Sequence, residues 1–409
     1  MNTKHDNVVN MKPVAARASV LSNFQSGFSL IELMVAITLG MLIVAALIAL
    51  FLNINRTNTE MAKTNSQIEN GRFAMQILQS DIVHGGFWGG YVPQFDDLTL
   101  TTAPTDAPTA VPNPCLDYAT PWTAAHITNL IGIPVQAYGN TPPSGGGCVT
   151  NLATNKQANT DVLVVRHAET CIAGSGGNCE ADIVGKLYFQ SSLSYHLPIP
   201  RPIPEPNCPA GRTADAAPYI LNTAGFGTLN KKDCDTDVTE KRKFISSIYY
   251  IRDYAKTVGD GIPTLMLSQF DGLAHQEAVP LIEGIEGFRV ELGIDNLSKT
   301  GAAVNYTAAI NWLNPANLTT PTNRGDGVPD GAFVRCTDAI PCTAAQLTNA
   351  VAVKLYVLAR ADKVSPGYTD SKTYALGSST LGPYGDGFKR HVFSTTVRLN
   401  NISGRRETP

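Results

Sequence analysis

The sequence predicts an α+β protein: one long N-terminal helix and a mainly antiparallel β-sheet head with long disulfide-stapled loops. Three observations predict it. Residues 28–52 form an apolar run with a single charge, Glu32, and no proline follows until after residue 84. Later runs rich in β-branched and aromatic residues are bounded by Gly, Pro or Asp, with no regular helix pattern between them. That pattern disfavours βαβ units and a parallel sheet. All eight cysteines lie beyond residue 114. Composition limits the function. Charged residues are 16% of 409, and the net charge is −3, which excludes a nucleic-acid binder working through a broad basic field. A hydrophobic content of 43% supports a sizeable core.

As a helix, residues 28–52 would span about 37 Å against a hydrocarbon core of about 30 Å. The segment is therefore predicted to cross a membrane. A cleaved secretory signal has a shorter apolar region, about 7–15 residues, ending at a small-x-small site, and neither feature is present. Before the run stand Lys4, Lys12 and Arg17 against Asp6. The positive-inside rule then keeps the N-terminus cytoplasmic and exports everything after residue 52. Glu32 is the anomaly. A carboxylate in an apolar span costs roughly 2.5–3.5 kcal/mol, so it needs either a partner or access to the interface.

Gly27-Phe28-Ser29-Leu30-Ile31-Glu32, followed by Met34-Val35-Ala36, resembles the processing site of type IV prepilins. The resemblance implies cleavage between Gly27 and Phe28 by a prepilin peptidase and N-methylation of Phe28. It also implies that Glu32 meets the N-terminal amine of a neighbouring subunit during assembly. The leader, residues 1–27, is long; a start at Met11 would shorten it to 17 residues.

The helix is expected to continue to residue 84. Ile54, Met61, Ile68, Met75 and Ile82 recur every seven residues, and Ile77 and Leu78 widen the stripe. The glycines of His84–Gly90 end it. Residues 28–84 would form a rod of about 85 Å. Its first half suits membrane or fibre core, and its second half is expected to pack under the head.

The head is residues 85–409, in one lobe or two. Residues 93–149, rich in Pro, Thr and Gly, read as long surface loop, and Leu197–Pro209 as an extended loop. Strands are expected at Asp161–Arg166, Lys186–Gln190, Phe244–Arg252, Thr264–Phe270, Gly287–Ile294, Val351–Ala359 and Phe388–Leu399. Within the head, Glu283–Asp295, Tyr249-Tyr250, Val353–Arg360 and Phe393–Asn401 resemble the PilW-type minor pilins and the related J-type pseudopilins of type II secretion. That resemblance implies a minor pilin in a tip or priming complex that initiates type IV pilus assembly. The implied partners are other minor pilins, the major pilin, the prepilin peptidase, the inner-membrane assembly platform and an adhesin of the PilY or PilC type. The implied location is the bacterial inner membrane, then the pilus tip. The alternative is a J-type pseudopilin.

The eight cysteines are Cys115, Cys148, Cys171, Cys179, Cys208, Cys234, Cys336 and Cys342. None forms a CxxC, so no zinc site is expected. In an exported head disulfides persist, and 105 pairings are open. Loop logic favours sequential neighbours: Cys115–Cys148, Cys171–Cys179, Cys208–Cys234 and Cys336–Cys342.

Three short motifs compete with this reading. Arg166-His167-Ala168-Glu169-Thr170 resembles the RHG-E-T motif of histidine phosphatases, with Ala168 in the place of its glycine. A disulfide loop follows where that fold needs a helix, so no catalytic residue is expected and the enzyme reading stays a distant alternative. Asn323–Asp330 holds Asp326 and Asp330 and resembles an Asp-rich calcium loop, but it is shorter than an EF-hand and lacks the closing Glu. A turn is the expected reading, and no cofactor is expected. The tripeptide Arg324-Gly325-Asp326 recurs by chance in many chains and carries no adhesion prediction.

Overall fold

The computed structural model describes residues 27–118, 121–141, 155–195, 215, 217–231, 237–317 and 320–407. The chain divides into two compact units, residues 1–59 and 60–409. The first contains the start of α1 (Leu30–Ile82), and every described residue from 27 to 59 is exposed. No proline interrupts α1, and its lower part is the apolar run.

In the second unit α1 lays one face on the head: Lys63, Gln67, Gly71, Ala74, Met75, Leu78 and Ile82. This corrects the predicted stripe. Ile54 and Met61 are exposed and Ile68 is half-buried; only Met75 and Ile82 of the five are buried. The reason is geometric. A straight helix drifts about 20° per heptad away from a seven-residue repeat. Over three heptads the stripe rotates off the face that packs. The true face follows four-residue spacing from Lys63 to Gly71, and its first two members are polar.

All strand pairs are antiparallel. The larger sheet is built from β1 (Val135–Tyr138), β2 (Val162–Ala168), β3 (Tyr188–Ser191), β4 (Tyr219–Asn222), β5 (Lys241–Arg252), β6 (Thr264–Asp271), β7 (Ala274–His275) and β8 (Val279–Glu283), in the order β1-β2-β5-β3-β4. β6 lies beside β5 and carries β7 and β8. A second sheet has the order β13-β10-β9, from β9 (Ile285–Ile294), β10 (Ala350–Arg360) and β13 (Arg390–Arg398). β11 (Tyr374–Leu376) and β12 (Ser379–Leu381) form a hairpin.

One core joins α1 to both sheets. Ala74, Leu78 and Ile82 meet Leu163, Val165 and Ile251 of the larger sheet and Val290, Val353 and Leu355 of the smaller one. β2 is buried on both faces, because Val162 and Val164 enter a separate cluster with Ile248, Tyr250 and Met266. Asp161 ties the sheets together. Its N–H donates to Phe288 O, and its carboxylate accepts from the Val290 N–H, Arg289 and Arg335.

The expectation of surface loop over 93–149 is corrected where the structure describes it. Helix α2 (Ala124–Gly132) and strand β1 form there, and Phe95, Leu100, Cys115, Tyr118, Leu130 and Ile131 are buried. Thr123 caps α2 by accepting from the His126 N–H. The many Pro and Thr residues hide an apolar i, i+3, i+4 set at Ile127, Leu130 and Ile131. Cys171–Cys179 and Cys336–Cys342 are disulfides, and Cys115 is also disulfide-bonded. Cys148, Cys208, Cys234 and the Leu197–Pro209 segment lie outside the described residues.

Candidate assembly site

The N-terminal end of α1 carries the processing and docking candidates. Ser29 stands just before the helix. Its N–H donates to Glu32 Oε2 at 2.9 Å, and the Glu32 N–H donates to Ser29 Oγ at 3.3 Å. This is a capping box, which satisfies two N–H groups that a helix start leaves without partners. The carboxylate expected to seek a neighbour's amine therefore has an internal partner in the single subunit. The signal was present in the sequence as Ser29-x-x-Glu32 and was not used. Phe28 is 87% exposed, and Gly27 has open space around it.

In the second unit, four groups of contacts hold α1 on the head. The lowest is polar. Lys63 Nζ donates to Val364 O at 2.9 Å and to Glu60 Oε1 at 2.8 Å. Glu60 Oε2 accepts from Lys389 Nζ at 2.7 Å and from Ser365 Oγ at 2.5 Å. Hydrogen bonds from Lys389, Lys63 and Ser365 hold the Glu60 carboxyl down at about 2. Gln67 Nε2 donates to Ala359 O at 2.7 Å and to Lys389 O at 3.2 Å.

Above this, Gly71 receives the Phe393 ring. A Cβ there would stand 2.1 Å from Phe393 Cε2, so only glycine fits as the side chains lie. Next comes Asp81. Its carboxylate accepts from Tyr249 Oη at 2.9 Å and meets His167 Nε2 at 3.0 Å. Burial, then the Asp81 charge, pushes the Tyr249 hydroxyl well up.

The C-terminus of α1 is closed by the far end of the chain. Asn401 Nδ2, on the short helix Asn400–Arg406, reaches the carbonyls of Val83, His84 and Gly85 at 3.2–3.3 Å. Arg405 donates to Gly86 O at 2.8 Å. These carbonyls belong to the turn that follows α1 after Ile82. Arg406, buried on the same helix, joins Asp96 and Asp295 at 2.8 and 3.1 Å. Lys63, Gln67, Asp81 and Asn401 were not singled out in the sequence, because each acts across 86 residues or more.

The competing motifs serve structure. Arg166 and His167 point to opposite faces of β2. His167 faces Asp81, while Arg166 is buried and donates from Nη1 to Ile133 O at 3.1 Å. Arg324 is buried and donates to the carbonyls of Asn305, Asn323 and Ala308, so the Arg324–Asp326 tripeptide is not displayed. Asp326 Oδ1 accepts from the Val328 N–H two residues on, and Asp330 Oδ2 from the distant Leu297 N–H. Among the described residues no group of three or more His, Cys, Asp or Glu is placed to hold a metal.

Two family models match parts of the chain. Residues 22–48 match the prokaryotic N-terminal methylation motif. Residues 248–401 match the family of the type IV pilus-assembly protein W, PilW. The type IV-like pilin TTHA1219 from Thermus thermophilus is a solved structure similar to this chain, at 12% identity, covering 82% of this chain and 97% of that one with a TM-score of 0.27. No curated protein matches. The chain thus joins a methylation-type N-terminus on a long apolar helix to an antiparallel head with a PilW-like segment, the parts of a type IV pilin. The PilW match begins in β5 and ends at Asn401, on the short helix that follows β13.

Proposed function

We propose that the protein is a minor pilin of the tip or priming complex that initiates type IV pilus assembly. Residues 1–27 are the leader, removed between Gly27 and Phe28, and Phe28 is then N-methylated. Residues 28–52 hold the subunit in the inner membrane with the head in the periplasm, and later carry it to the pilus tip. Glu32 leaves its bond to the Ser29 N–H for the N-terminal amine of a neighbouring subunit. A buried carboxylate–amine pair offsets the cost of a lone charge in lipid, and so sets axial register.

The observation that carries the reading is the size of the head on its single helix: 325 residues follow position 84. A shaft subunit would fit that bulk around every turn of the fibre, whereas a subunit used once avoids the crowding. The same bulk suits presentation of an adhesin of the PilY or PilC type. The PilW match over residues 248–401 favours the pilus over a type II secretion pseudopilus.

Two experiments test it. Mass spectrometry of the mature protein is expected to find N-methyl-Phe28, and an intact leader would overturn the reading. A deletion strain is expected to lose surface pili and twitching; normal piliation would overturn the tip role. In Glu32→Gln, processing is expected to persist while incorporation falls.

A further inference from the structure

Among the described residues strand β13 ends its sheet and pairs only with β10, from Ala352↔Arg398 to Arg360↔Arg390, which leaves its outer edge open. In the same register the Leu399 N–H donates to Val351 O and the Ala361 N–H to Lys389 O, both at 2.9 Å. Odd-numbered residues therefore exchange hydrogen bonds with β10, as the alternation of an antiparallel ladder requires. The N–H and C=O groups of Val392, Ser394 and Thr396 point the other way. No hydrogen bond to them is found among the described residues.

Three features make this edge unusual. It is nine residues long. Its centre, Val392-Phe-Ser-Thr-Thr-Val397, has strong β propensity and neither charge nor proline. Soluble proteins normally blunt such an edge with Lys, Pro, a bulge or a covering loop. Here Ser394 and Thr396 are exposed. The other edge of the sheet is covered: Leu292 of β9 exchanges backbone bonds with Val334, and Phe288 O accepts from the Asp161 N–H.

The edge is also held rigid. At one end buried Arg390 is fixed by Glu286, Asp370 and Asp386 at 2.5–2.8 Å, and at the other Val397 and Leu399 enter the core. A preorganised strand loses little freedom on binding.

We propose that the outer edge of β13 receives an extended strand from a different pilus subunit, which extends the β13-β10-β9 sheet. The inference rests on the assembly role proposed above. Direction argues against antiparallel pairing with a second copy. Gln67 lies at Lys389, Gly71 at Phe393 and Gln79 at Thr395, so α1 and β13 run the same way. Antiparallel pairing of two copies through this edge would set their α1 segments in opposite directions, which subunits anchored in one membrane do not adopt. A strand from another subunit meets no such conflict. It supplies alternate N–H and C=O groups to Val392, Ser394 and Thr396, the usual chemistry of strand addition.

The test uses the full chain in piliated cells, with a photo-crosslinking amino acid at Thr396 and, as control, at exposed Thr257. The expected adduct forms from Thr396 and not from Thr257, and its partner peptides come from another subunit with a prepilin N-terminus. Ser394→Pro removes only an outward N–H, a position where edge strands tolerate proline. It is expected to leave the melting temperature within about 2 °C, as befits a surface change, and to cut the adduct at least tenfold. If Ser394→Pro melts lower than that, Ser394→Lys, which keeps the N–H and adds a blocking charge, is expected to cut the adduct alone. An adduct unchanged in both variants, or one formed between two copies of this chain, overturns the proposal. Failure of the underlying reading looks different: Phe28 is unmethylated and no pilus subunit co-purifies even with the unaltered chain.

Discussion

The lower and upper parts of α1 are one helix made of two materials. From Leu30 to Thr59 every residue is exposed, and the side chains are mostly Leu, Ile, Val and Ala up to residue 52. From Glu60 to Ile82 the helix is mixed in polarity, yet seven of its residues are buried. The stretch richer in apolar residues is thus the exposed one. The upper stretch is committed to the head. Hydrophobicity alone does not mark where a helix packs; small residues such as Gly71 and Ala74, and polar ones aimed at carbonyls, mark it better here.

The largest expected effect sharpens that contrast by making the same truncation in both halves. Leu78→Ala removes a fully buried side chain between the two sheets. A cost of about 2–5 kcal/mol is expected, measured by thermal or denaturant unfolding of the detergent-solubilised chain. Leu42→Ala, at a 67% exposed position, is expected to leave head unfolding unchanged. Equal effects from both would dissolve the distinction. Gly71→Ala comes next, at about 1–3 kcal/mol, since the added methyl must displace the Phe393 ring. Phe393→Leu in the same chain is expected to relieve part of that cost.

Asp81→Ala asks whether the polar contacts matter as much as the apolar ones. It strips Tyr249 Oη and His167 Nε2 of their shared acceptor. Leaving such buried groups unpaired costs about 1–3 kcal/mol. Asp81→Asn, which keeps an acceptor, is expected to cost less, and equal loss from the two would show that the charge, not the hydrogen bond, is what counts.

Much of this was readable in advance, for identifiable reasons. The apolar run and the GFSLIE segment are local, so the helix and its processing candidates could be read residue by residue. Strands β5 and β10 were legible over Phe244–Arg252 and Val351–Ala359, where β-branched and aromatic residues are frequent and nearly all are buried, whereas Lys241–Lys243 carried no such signal. What escaped depends on distant partners. Nothing near Asn401 says that it will close a helix more than 300 residues earlier. Nothing near Gln67 points to the carbonyl of Ala359. Helix α2 escaped because its surroundings are dominated by Pro and Thr, whose turn signals outweighed a nine-residue apolar pattern.

The smallest expected effect concerns pH and the polar foot of the docked segment. Glu60 has a folded pKa of about 2 against a usual 4.5, held there by Lys389, Lys63 and Ser365. A depressed carboxyl binds fewer protons folded than unfolded. Its contribution is therefore fully present above pH 4.5 and is lost as pH falls towards 2. The group is half-buried at the surface, so solvent still screens the interaction and the effect is modest. Glu60→Gln is expected to flatten the acid limb of the stability–pH curve between pH 4.5 and 2 and to leave stability at pH 7 slightly lowered. Raising salt on the unaltered chain is expected to act in the same direction at pH 7. The apolar contacts at Leu78 carry no titrating group, so Leu78→Ala is expected to shift the whole curve down without changing its slope. A Glu60→Gln curve parallel to that of the unaltered chain would mean that the foot of the docked segment is held by Gln67 and the Lys63–Val364 bond rather than by the Glu60 charge.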